Sequence, residues 1–152
     1  MSVNKNALLR YQVLDRCFRN TGRMYFWEDL LNECNDALME FDPACGGIGR
    51  RQLFDDIRFM ESDQGWAIPL ERHKFGKKAY YRYDDTNFSI NNQPLNDMEA
   101  EKIRSAIQII SRFSGTPQFE WVDDMIPMLE SKFGLIHQQN KVIGFDENID
   151  LK

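Results

Sequence analysis

The sequence predicts a mainly α (α+β) fold: three amphipathic helices closed by a two-stranded ribbon, then a linker and a helical hairpin. Three observations carry this prediction. Apolar residues recur at three- and four-residue spacing in five separate stretches, and breaks rich in glycine, proline or asparagine separate those stretches. In addition, an extended run at 66–74 and an aromatic run at 79–83 flank Phe75-Gly76-Lys77, a hairpin signal.

Residues 5–19 place Ala7, Tyr11, Leu14 and Phe18 on one stripe, with Arg10, Asp15, Arg16 and Arg19 elsewhere around the cylinder. Asn20-Thr21-Gly22 stops this helix. Tyr25-Phe26 is expected as a short strand or as a staple ahead of a second helix. That helix begins near Trp27 with Glu28 and Asp29 in its first turn, where carboxylates oppose the positive end of the helix dipole. Leu30, Cys34, Ala37 and Phe41 form its apolar face, widened by Leu31 and Leu38, and Asp42-Pro43 ends it.

Gly46 to Gly49 supplies a turn, with Gly49 as N-cap of a third helix. Leu53, Ile57 and Met60 make its core stripe, so Arg51, Asp55, Arg58 and Ser62 point away, with Gln52 and Phe59 at the border. Arg50 lies in the first turn, where its long side chain bends toward solvent. Pro69 suits the edge of the following ribbon. A two-stranded ribbon is marginal by itself, so it must dock on the helices through Trp66, Ile68, Leu70 and some of the tyrosines.

Residues 84–95 read as a polar linker with a short extended piece around Phe88 to Ile90. Asn96 and Glu99 form a capping box opening a helix whose apolar face is Ile103, Ala106, Ile107, Ile110 and Phe113. After Ser114-Gly115-Thr116, Thr116-Pro117 starts the last helix, which carries Phe119, Val122, Ile126, Leu129 and Phe133 and is expected to kink at Pro127. Beyond it, Val142 to Phe145 resembles the opening of a strand with no partner in the remaining sequence. The expected division is therefore 1–83, 84–95, 96–135 and a tail at 136–152.

The chain of 152 residues is long enough to bury a core and carries a net charge of −5. That charge is uneven: +1 over residues 1–83 and −6 over residues 84–152. Cys17, Cys34 and Cys45 form no CxxC pair and lie far in sequence from His73 and His137, so reduced thiols are expected and neither a metal nor a cofactor. No signal peptide or membrane-spanning run is present, which gives a cytoplasmic expectation and no membrane partner. Asp55-Asp56 and Asp123-Asp124 read as carboxylates on helix surfaces. With no GxSxG, P-loop, HExxH or GxGxxG motif, an enzyme is not expected.

The basic residues are more informative. Arg50, Arg51 and Gln52 open a helix, and Arg72, Lys74, Lys77 and Lys78 decorate the hairpin that follows it. This is the layout of a winged helix-turn-helix domain, in which a helix enters the major groove and a wing follows phosphates. Guanidinium groups fit guanine edges and phosphates in bidentate fashion, and a glutamine carboxamide fits adenine. Arg51, Gln52 and Arg58 are thus expected to face bases or flanking phosphates of double-stranded DNA, with Arg50 at the groove edge. Arg72, Lys74, Lys77 and Lys78 are expected to hold phosphates. The alternative is a protein-interaction or oligomerisation module on the same scaffold.

Gly49 to Ile57 and Gly65 to Tyr83 resemble the N-terminal region of the WYL-domain transcriptional regulators of bacteria. That family's recognition helix reads Ser-x-Arg-Thr-Ile-x-Arg-Asp-Ile; Arg51, Asp56 and the apolar positions match, while Gly49, Gln52 and Asp55 depart from it. Gly65-Trp66-Ala67-Ile68-Pro69-Leu70-Glu71-Arg72 with Tyr80-Tyr81-Arg82-Tyr83 is the more specific half. The segment from Asn96 to Phe133 is similar to the family's helical connector. No Trp-Tyr-Leu triplet follows, so 136–152 reads as a tail leading toward a missing WYL domain, in either an N-terminal fragment or a regulator without its own sensor. The resemblance implies control of transcription by a homodimer bound to DNA.

Overall fold

A computed structural model describes residues 6–135, in two compact units divided between Pro94 and Leu95. The first unit opens with α1 (Ala7–Arg19), β1 (Tyr25–Phe26), α2 (Trp27–Phe41) and α3 (Arg50–Glu61). β2 (Leu70–Phe75) and β3 (Lys78–Tyr83) complete it as the hairpin. Leu14, Phe18, Leu30, Leu38, Leu53, Ile57 and Met60 are each at most 1% exposed, and at about 1.5–3 kcal/mol per buried side chain they dominate the drive to fold. The spacing of apolar residues therefore identified the faces that meet, except at the end of α2, where Phe41, expected on the apolar face, is 68% exposed in the last residue before the Asp42 cap.

The ribbon has a third strand. β1 pairs antiparallel with β3, Tyr25 opposite Tyr81 and Phe26 opposite Tyr80, giving the order β1-β3-β2. Both edges of β3 are thus hydrogen-bonded, which a two-stranded wing could not provide. Phe26 also caps α2: its N–H donates to Asp29 Oδ2 at 3.0 Å.

Two polar residues of α1 are not at the surface. Arg10 and Asp15 are 2% and 1% exposed. Asp15 accepts hydrogen bonds from Tyr83 Oη at 2.7 Å, Ser89 Oγ at 2.8 Å and the Ile90 N–H at 3.0 Å. Residues 88–92, within the stretch expected to be a linker, are accordingly docked on α1. Ile90 is 2% exposed; Ser89 is extended, as expected around Phe88 to Ile90, but Ile90–Asn92 forms a 3₁₀ turn. A polar composition was misleading there because one buried carboxylate satisfies the segment's own polar groups.

Between α3 and β2 the chain turns back on the helix. The N–H groups of Trp66 and Ile68 both donate to the Met60 carbonyl, at 3.4 and 3.1 Å. Gly65 is pressed so close that a Cβ there would lie 2.3 Å from the Phe59 carbonyl oxygen. This explains why glycine leads the Gly65-Trp66 run. Gly65→Ala should lower the unfolding free energy by about 1–3 kcal/mol, read as a shift in the urea midpoint; an unchanged midpoint would show that the turn yields freely.

The second unit contains α4 (Asp97–Ser111) and α5 (Glu120–Lys132), with a 3₁₀ turn, Pro117–Phe119, before α5. Asn96 caps α4 as expected: its Oδ1 accepts from the Glu99 N–H at 2.8 Å, and Glu99 Oε1 accepts from the Asn96 N–H at 3.2 Å. Ala100, Ile107 and Leu135 form the core, with Leu95, Ile103, Ile126 and Leu129 packed on it. Ala106 and Phe113 do not share this face. Ala106 and Ile109 turn away from Ala100 and Ile107 on α4 and are exposed, and Phe113 lies beyond the end of α4, exposed and against the Phe119 ring. Pro127 lies inside α5. The strand expected at Val142 to Phe145, and the whole 136–152 tail, lie outside the described residues. No helix among the described residues is long and apolar enough to cross a membrane.

Candidate nucleic-acid interface

The position of α3 is set from α2. Asn35 grips the intervening turn at both backbone groups of one residue: its Oδ1 accepts from the Ile48 N–H at 2.7 Å and its Nδ2 donates to the Ile48 carbonyl at 3.1 Å. The preceding Gly47 has φ +78°, and a Cβ on it would approach Asn35 Oδ1 to 2.8 Å. Glycine is therefore required on conformational and steric grounds. Gly49 occupies the N-cap in extended geometry without a side-chain cap, and Leu53, Ile57 and Met60 anchor the helix below.

Arg51 and Arg58 project from the exposed side of α3, as the helical wheel predicts. Arg51 has no ion pair among the described residues, whereas Arg58 is bound to Asp55 at 2.6 Å. Arg50 is also exposed, but its guanidinium is stacked 4.4 Å above the Trp27 ring and 5.6 Å from Phe54, which fixes its direction without neutralising it. Gln52 is half-buried, and its Nε2 donates to Asp56 Oδ1 at 2.9 Å.

Asp56 is not a surface carboxylate. It is 2% exposed and accepts from Arg10 Nε at 2.6 Å and from an Arg10 terminal nitrogen at 3.1 Å. Sequence reasoning missed this pair, yet the spacing contained it. Arg10 falls on the stripe Ala7, Arg10, Leu14, and Asp56 on the stripe Leu53, Asp56, Ile57, Met60. A charge on a core stripe signals a partner on a facing core stripe.

On the wing, β2 and β3 are in register with Arg72 opposite Tyr81, Lys74 opposite Ala79 and Phe75 opposite Lys78. Arg72 makes a bidentate pair with Glu61 at the end of α3, both contacts 2.9 Å, and those hydrogen bonds raise the guanidinium pKa above its usual value. Lys78 lies 3.9 Å from Glu28 and over the Phe26 ring. Lys74 and Lys77 are exposed and have no ion pair among the described residues. Phe75, which the sequence reading did not single out, is 60% exposed at the tip.

The beginning of α3 and the wing border one common element. Arg50 rests on Trp27, and Lys78 on Phe26 and Glu28; Phe26 is the N-cap of α2, and Trp27 and Glu28 are its first two residues. Of the eight lysines and arginines on α3 and the wing, Arg58, Arg72 and Lys78 each have a carboxylate partner. Arg50, Arg51, Lys74, Lys77 and Arg82 have none among the described residues, and Arg82 is held against the protein, over the Tyr80 ring and donating to the Arg23 carbonyl at 3.3 Å. The exposed cations without a carboxylate partner among the described residues therefore sit at the start of α3 and near the hairpin tip. No curated protein and no solved structure gave a significant match. The model of the N-terminal winged helix domain of WYL domain-containing proteins matches residues 6–84, more than half of the chain, and the chain belongs to that family.

Proposed function

We propose that this protein binds double-stranded DNA sequence-specifically through α3 and the wing, and so controls transcription. The observation that supports this most is the distribution of unneutralised cations: they stand at the N-terminus of a well-anchored helix and at the tip of a hairpin, within one family-defined winged helix. The N-terminal amides of α3 add to the attraction for phosphate. Arg51 and Gln52 face the bases, Arg50 lies at the groove edge, and Lys74 and Lys77 hold phosphates. Arg58, Arg72 and Lys78 join them by exchanging a carboxylate for a phosphate.

Two substitutions separate these roles in a mobility-shift titration. Arg51→Ala should reduce discrimination between a selected site and random duplex by about five- to a hundred-fold, the worth of one bidentate base contact. Lys77→Ala should weaken every sequence alike and flatten the salt dependence by about one counterion. The opposite pattern would mean that helix and wing have exchanged roles.

A second reading rests on the connector. Ile109, Phe113, Trp121 and Met128 are 45–54% exposed, an apolar surface suited to a protein partner, including the second copy of a homodimer. Retention on heparin with a salt-independent monomer mass would remove that reading. A stable dimer that ignores heparin would favour it over DNA binding.

A further inference from the structure

Arg10 and Asp56 are each 2% exposed, so neither can touch DNA. A buried ion pair is also a poor stabilising device, because apolar residues of similar volume commonly do as well. The third partner of the cluster is more informative. Asp56 Oδ1 receives the Nε2 of Gln52 at 2.9 Å, four residues earlier on the same helix face, and Gln52 is half-buried in the first turn of α3.

A carboxylate only accepts, so it fixes which end of the Gln52 carboxamide faces inward: the NH₂ group must. One N–H is thereby used, and the amide oxygen and the second N–H remain. That remaining pair matches the N6 donor and N7 acceptor of adenine. An unanchored carboxamide turns over freely and offers its donor and acceptor in either order. Arg10 prevents this indirectly, by gripping both oxygens of Asp56 from α1 and leaving the carboxylate a single orientation.

We infer that Arg10 and Asp56 are positioning residues that lock the Gln52 carboxamide in one orientation, making Gln52 the adenine-specifying residue of α3. The inference rests on the proposed DNA binding and adds to it a named base, a reader and a device behind the reader. Pre-organisation of this kind raises specificity more than affinity, because non-specific binding uses the phosphate contacts alone.

The test uses the full chain and a randomised duplex pool. Wild type should select sites with one fixed A·T pair at the position that Gln52→Ala makes degenerate, with a loss of about five- to a hundred-fold in discrimination there. Arg10→Met combined with Asp56→Leu, which removes both buried charges together, should make the same position degenerate and leave the others intact. If that double variant still selects A·T, the positioning role is wrong although DNA binding stands. If wild type selects no sequence at all, the proposed function itself fails. A readout on the unaltered protein covers a double variant that does not fold: the Gln52 side-chain N–H bonded to Asp56 should be protected from solvent exchange and shifted away from the free glutamine position, and free-glutamine shifts with fast solvent exchange would overturn the lock.

Discussion

Asp56→Ala should cost about 3–5 kcal/mol of unfolding free energy, a third or more of what a domain of this kind usually has. The substitution leaves the Arg10 guanidinium at 2% exposure without the carboxylate that grips it at 2.6 and 3.1 Å, and an uncompensated buried charge is far costlier than the pair was beneficial. The neighbouring Asp55→Ala is the control. Asp55 is about half exposed and bridges only to the exposed Arg58, so its loss should stay within about 0.5 kcal/mol. Urea unfolding of the two variants would show the contrast as unequal midpoints at similar slopes. Equal midpoints would mean that Asp56 is as solvated as its neighbour.

Raising the pH should unfold the first unit between about pH 9 and pH 12. Burial, the largest cause in each case, pushes the Cys17 thiol up to about 11, the Cys34 thiol up to about 12 and the Tyr11 hydroxyl up to about 12, and burial with a hydrogen bond to Asp15 raises Tyr83 further. The ordinary values are 9.0 for the thiols and 10.0 for the phenols. Above those values the unfolded chain has released protons that the folded chain still holds, so stability must fall as pH rises. Below pH 9 the contribution is complete, and it is lost toward the folded values. At about 1.4 kcal/mol per pH unit and group, the combined loss reaches several kcal/mol, comparable to the whole stability. A circular dichroism titration should show a cooperative transition in that range. Retention of structure to pH 12 would place these side chains in contact with water.

The helices were legible because their boundaries are written locally. Asn20-Thr21-Gly22, Asp42-Pro43, Gly49 and the Asn96/Glu99 box each act within a few residues, and apolar spacing assigned the buried faces of α1, α2 and α3. What escaped depends on partners distant in sequence. Arg10 meets Asp56 across 46 residues and Asp15 meets Ser89 across 74, so reading each helix alone left both charges in solvent. β1 was ambiguous for the same reason, since two residues become a strand only because β3 is present.

The candidate site was legible as a set of residue types. Its charge state was not. Sequence gives the seven cations assigned to DNA, but the pairing of Arg58 with Asp55, Arg72 with Glu61 and Lys78 with Glu28 requires side-chain geometry. Gln52 was expected to be a reader from its place near the helix start, and only the fold reveals the buried pair behind it.

That pairing makes the salt dependence of DNA binding the most direct measurement of the central claim. Binding to duplex DNA, titrated by mobility shift from low to moderate salt, should give a slope of log K against log[salt] of about −3 per protomer if only Arg50, Lys74 and Lys77 engage phosphates. The slope should steepen toward about −5 if Arg58, Arg72 and Lys78 give up their carboxylates on binding. A slope near zero, or no binding at low salt, would contradict the assignment of α3 and the wing as a DNA-binding surface.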